Sequence, residues 1–182
     1  MRSCEDAEPI STVADWKDLA LDAQARRAVD DIVKWQQHRP ELEHGPKRGL
    51  AVLFYGPPGT GMTIAAALIA RACGGTTYRV DLGALVSKYV GETEKNLARI
   101  FEQAANENWI LFFDEADAVF GTRTEARDAN DRAANQQVAY LLQRIEDYPG
   151  VVILATNLSA HLDEAFARRF QAVIRFGMGG SG

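Results

Sequence analysis

The stretch GPPGTGMT, residues 56–63, follows the apolar run LAVLFY and leads into IAAALIARACGG. Its spacing nearly reproduces the phosphate-cradling pattern G-x-x-x-x-G-K-[ST]. Gly56, Gly59 and Gly61 permit a tight turn that aims several backbone N–H groups at one point, with Pro57, Pro58 and Thr60 between them. A helix that follows adds the positive end of its dipole, so the segment reads as an anion nest. Thr63 supplies the hydroxyl that would reach a nucleotide's magnesium ion. Met62 stands where the pattern requires lysine. Alone, such a turn could join strand to helix for conformational reasons only.

Two further apolar runs end in residues suited to the same chemistry. WILFF is followed by DEAD, so Asp114 and Glu115 emerge directly behind it. An aspartate there can hold magnesium, and a neighbouring glutamate can orient or deprotonate an attacking water. Asp117 suits the cap of the next helix. VVILA is followed by Thr156 and Asn157, whose amide could fix that water or touch the terminal phosphate; by itself Asn157 reads as a turn residue. Arg168 and Arg169 in ARRF offer adjacent guanidinium groups suited to charge developing on phosphate oxygens, or simply cations favoured by a helix carboxyl end. Lys88, Tyr89 and Val90 precede a glycine in SKYVGETEKNL, where the aromatic is either half-buried or a solvent-facing grip on a substrate chain.

The elements that must position these residues can be read from periodicity. Five short runs predict buried strands: LAVLFY from Leu50, TTYRV from Thr76, WILFF from Trp109, VVILA from Val151 and AVIRF from Ala172. Leu97, Ile100, Phe101 and Ala104 repeat at helical spacing, as do Val138, Leu141, Leu142 and Ile145. Val29, Ile32, Val33 and Gln36 mark a weaker helix that stops before Pro40, and Cys73 lies near the end of the helix after the glycine loop. Strands that are apolar throughout and alternate with helices imply a parallel sheet covered on both faces. Ligands of such sheets sit at the carboxyl ends of the strands, where the residues above fall.

The whole chain bounds the reading. Its 182 residues, 47% hydrophobic, suffice for one well-cored domain. We expect a leader over residues 1–15, the domain over 16–176 and a flexible Gly/Ser tail over 177–182. A net charge of -5 without a basic run argues against a nucleic-acid partner. Cys4 and Cys73 are too few and too differently placed for a disulfide framework or metal knuckle. With no signal-peptide core and no membrane-length apolar segment, a soluble cytoplasmic protein is expected, with no membrane partner.

Taken together, these motifs in this order resemble the AAA+ ATPase family from about Trp16 to Phe176. The resemblance implies a P-loop NTPase fold: a three-layer α/β sandwich with a five-stranded parallel sheet of order 5-1-4-3-2, numbered over the five runs above. It further implies a hexameric ring formed by self-association, with ATP or ADP and Mg2+ at the subunit interfaces. By position, residues 56–63 match the Walker A loop, Asp114 and Glu115 the Walker B pair, and Asn157 sensor 1. Arg168 and Arg169 match arginine fingers that complete the next subunit's site, and Tyr89, flanked by Lys88 and Val90, matches the pore-loop aromatic that pulls polypeptide. The texture of KYVGETEKNL and of RDANDRAANQQVAYLLQRIEDYPG is similar to bacterial members associated with contractile injection systems. The chain stops before the helical lid that follows the fifth strand in the family, so it corresponds to the large subdomain.

Methionine approaches lysine in length but carries no charge, so the loop should keep its shape while losing the cation that reaches the phosphates. Met62 and the missing lid together predict a module that would otherwise couple ATP binding and hydrolysis to protein remodelling in a ring, here impaired in both. The rival reading is a non-catalytic scaffold. An RNA helicase, which the literal DEAD invites, would need a second domain and a basic track, and a small-molecule kinase would also need the loop lysine.

Overall fold

The computed structural model describes residues 5–38, 49–88, 91–120, 129–157 and 164–177. A strand β1 (Glu8–Ile10) and a 3-10 turn (Trp16–Asp18) lead into α1 (Ala23–His38). Then come β2 (Leu50–Tyr55), α2 (Met62–Cys73), β3 (Thr77–Asp81), α3 (Leu82–Lys88), α4 (Thr93–Glu107) and β4 (Ile110–Asp114). The chain continues through α5 (Asp117–Phe120), α6 (Ala129–Asp147), β5 (Val151–Thr156), α7 (Glu164–Ala167) and β6 (Ala172–Arg175). The five expected strands all form, each bounded within a residue of its apolar run.

The sheet order is β1-β3-β4-β5-β2-β6. The five expected strands run parallel in the expected order, with Leu50 opposite Val151 and Asp81 opposite Asp114. The count of five is corrected: β1 adds a sixth, antiparallel strand on β3, with Pro9 opposite Tyr78. Three residues with proline at the centre carry no alternation to read, yet proline is tolerated at a sheet edge because its missing N–H costs no ladder bond.

Alternate residues of each strand feed opposite faces. Val52, Phe54, Phe112 and Ile153 pack with Val29 and Ile32 of α1 and with Ala65, Ala66 and Ile69 of α2. Leu53, Val80, Leu111, Phe113 and Leu154 pack on the other face with Leu97, Ile100 and Phe101 of α4 and Leu141 and Ile145 of α6. This is the three-layer sandwich, and both helical stripes read from the sequence are buried in it.

The amino-terminal segment is bound to the domain. Arg71 of α2 donates to the carbonyls of Thr12 and Ala14 at 3.2 and 2.9 Å, and the Arg26 guanidinium lies 4.4 Å from the Trp16 ring centre. Asp15 and Asp18 cap the turn reciprocally, which fixes the chain as it passes over the end of α2. Arg71→Ala is expected to cost about 1 kcal/mol, read as a lower midpoint in urea unfolding, because two exposed hydrogen bonds are lost. An unchanged midpoint would show that the segment is held by its apolar contacts alone.

Candidate functional site

The carboxyl ends of β2, β4 and β5 open into one cleft of about 950 Å³. Pro58, Gly59, Thr60, Gly61, Met62 and Thr63 form one wall, Asp114, Glu115 and Asp117 another, and Thr156 and Asn157 a third. Gly56 and Pro57 carry the loop without lining the cleft. The loop's shape depends on two glycines. At Gly56 a Cβ would lie 1.9 Å from the Phe176 carbonyl oxygen, so only glycine lets β2 and the end of β6 approach this closely. Gly61 caps α2 in the left-handed region (φ 96°) and provides no side chain to the helix's first N–H groups, which leaves the helix end open to an anion in the cleft. Met62, the first residue of α2, is partly buried against the α1/α2 face of the core while also lining the cleft.

The carboxylates form a linked cluster. Arg79 of β3 grips Asp114 Oδ2 with Nε at 2.9 Å and a terminal nitrogen at 2.8 Å, and the same terminal nitrogen lies 3.8 Å from Asp81. Asp114 Oδ1 accepts from the Glu115 backbone N–H at 2.8 Å. Glu115 adopts a left-handed backbone (φ 55°), uncommon for a residue with a side chain. Its Oε2 lies over Gly83, where a Cβ would approach it to 2.6 Å, and its carboxyl hydrogen-bonds Asp81. The negative charge of Asp81, then partial desolvation and that hydrogen bond, raise the Glu115 pKa above the usual carboxylate value, with Asp114 adding to the shift and Arg79 opposing it. Asp81→Asn is therefore expected to lower the Glu115 midpoint in a carboxyl-carbon NMR titration. A midpoint that stays in place would sever the Asp81–Glu115 link.

Other expected residues lie elsewhere. Arg168 and Arg169 follow the last residue of α7 in a turn and do not line the cleft; Arg169 pairs with Glu146 at 3.2 Å. Lys88 ends α3 and lies 3.6 Å from Asp6. Tyr89 and Val90 lie outside the described residues. Sequence reading missed Asp18, Leu19 and Ala20, which close the cleft from above the loop, with Leu19 Cδ2 at 2.5 Å from where a Gly61 Cβ would stand. The aspartates flanking Trp16 at a spacing of three were the available signal, since that pattern marks a capping box. It also missed Arg79 and Asp81, whose signal is a pair of charges at the end of an otherwise apolar strand. Gly177, expected to begin a free tail, borders the cleft.

Sheet order, layering and a glycine loop at the carboxyl edge define the class: an α/β domain of P-loop type. Residues 52–178 match the family described as "ATPase family associated with various cellular activities (AAA)". The chain belongs to this AAA family. It is 38% identical over 162 residues to "Uncharacterized AAA family ATPase y4kL" of Sinorhizobium fredii, covering 87% of this chain and 48% of that protein. To "Fidgetin-like protein 1" of Caenorhabditis elegans it is 34% identical over 163 residues, covering 86% of this chain and 27% of that protein. The crystal structure of the FIGL-1 AAA domain superimposes with a TM-score of 0.72 at 29% identity, covering 95% of this chain and 58% of that one. The same domain has been crystallised in complex with ADP, with a TM-score of 0.70 and 28% identity to this chain. The chain thus spans about half or less of the length of these curated relatives. No helix among the described residues is long and apolar enough to cross a membrane.

Proposed function

We propose that the cleft is a nucleotide site taking ATP and ADP with Mg2+, and that the chain is the core of an ATPase acting in a hexameric cytoplasmic ring on a polypeptide substrate. The observation that carries this reading is the convergence of the glycine loop, Asp114, Glu115 and Asn157 on one cleft at the strand ends. The related FIGL-1 domain crystallised with ADP supports it.

The chemistry divides among the residues as follows. Backbone N–H groups from Gly59 to Thr63, at the positive end of α2, bind the phosphates. The Thr63 hydroxyl and Asp114 would hold Mg2+, and they fit it: both line the cleft, and a hydroxyl and a carboxylate are oxygen donors of the kind this ion takes beside phosphate and water. Bound magnesium would neutralise charge on the phosphate oxygens. Glu115 accepts a proton from the attacking water, and the Asn157 amide orients that water. Arg168 and Arg169, outside their own cleft, complete the site of a neighbouring copy, and Lys88, Tyr89 and Val90 grip the polypeptide. The absence of charge at Met62 weakens both phosphate binding and turnover.

One observation favours a second reading, a non-catalytic scaffold: Glu115 is turned onto Gly83 and Asp81. Titration calorimetry with Mg-ATP on this chain and on Met62→Lys separates the two. Binding by the lysine variant supports the nucleotide site; binding by neither supports the scaffold.

A further inference from the structure

The cleft's charge is at odds with the ligand proposed for it. Among the described residues it is lined by four carboxylates, Asp18, Asp114, Glu115 and Asp117, and by no lysine, arginine or histidine. Arg79, which holds Asp114, lies outside the lining and is committed to Asp114 and Asp81. Among the described lining residues the donors are neutral, namely the loop's backbone N–H groups with the Asn157 amide and threonine hydroxyls, and Met62 stands at the loop position where the phosphate-binding pattern has lysine. A nucleotide free of metal brings three or four negative charges to this surface. Its complex with a divalent cation brings two fewer, and presents positive charge to Asp114.

We infer that this cleft admits a nucleoside di- or triphosphate only as its divalent-metal complex, the metal standing in electrostatically for the missing lysine. This rests on the nucleotide-site reading and adds to it a strict coupling. Because coupling between two ligands is reciprocal, nucleotide raises metal affinity by the factor by which metal raises nucleotide affinity. A loop with lysine carries its own cation and should be far less dependent on the metal.

The test measures binding of a fluorescent ADP, by anisotropy, to this chain and to Met62→Lys, each in excess magnesium and in excess EDTA. The expected result is binding by this chain in magnesium, weakened about 100-fold or more by EDTA, against a loss of about 10-fold or less for the lysine variant. A thermal shift with ADP should agree, rising for this chain only when magnesium is present. Equal loss in the two proteins, or none in this chain, overturns the coupling and leaves the nucleotide site standing. Binding by the lysine variant alone also overturns it, since the metal then fails to replace the missing charge. No binding by either protein in magnesium overturns the nucleotide-site reading and the coupling with it.

Discussion

Met62→Lys is expected to raise the turnover of ATP by about 100-fold and to tighten Mg-ATP binding. The local structure permits the exchange. Met62 opens α2 with its side chain partly buried against the α1/α2 core while lining the cleft. A lysine stem can occupy the same apolar ground and deliver its ammonium to the cleft, so the folded state should lose little stability. The gain comes from one preorganised cation placed where negative charge builds in the transition state, typically about 3 kcal/mol of barrier. Part of it also appears in the ground state, because the same charge meets the phosphates before reaction. Phosphate release at saturating ATP, beside calorimetric affinity, divides the two contributions. Turnover within threefold of the parent chain would mean that some feature other than residue 62 limits the site.

Much of this site was legible because its residues sit at strand ends, and strand ends follow directly from apolar runs. Leu50–Tyr55, Ile110–Asp114 and Val151–Thr156 are largely apolar, since both sheet faces are covered; the last two end at the polar residues that line the cleft, and the first leads into the glycine loop that does. The loop needed only its glycines, whose positions are dictated by close backbone approach at Phe176 and by the left-handed cap of α2. What escaped depends on packing between segments far apart in sequence. Glu8–Ile10 is a strand only because β3 offers an edge to it. Leu19 reaches the loop from a segment tied down by Arg71, the Asp15–Asp18 cap and its own apolar contacts. Arg79 meets Asp114 because β3 and β4 are in register with Asp81 opposite Asp114, a pairing that no local pattern encodes. The Glu115 orientation is likewise a product of three elements: its own left-handed backbone, Asp81 on β3 and the bare Cα of Gly83 at the start of α3.

Glu115→Gln, made on top of Met62→Lys, is expected to lower ATP turnover by about 10²- to 10⁴-fold while leaving Mg-ATP bound. Glutamine keeps the side chain's length and can donate from its amide to Asp81, so the contact beside Gly83 survives the change. What it cannot do is accept a proton from water. The same substitution removes one of the three carboxyl groups that crowd Arg79, which gives a second readout. The pKa of Glu115 is raised in the folded chain, so its ionised form costs stability above its ordinary titration range, and that cost vanishes at lower pH where the group is protonated both folded and unfolded. Glu115→Gln should therefore leave the melting temperature at pH 7 equal to or above that of its parent, with the difference closing near pH 3. A general base predicts collapsed turnover with retained binding and unimpaired stability. Lost binding or a lowered melting temperature would instead make Glu115 a structural residue, and turnover within threefold of the lysine variant would move the base elsewhere.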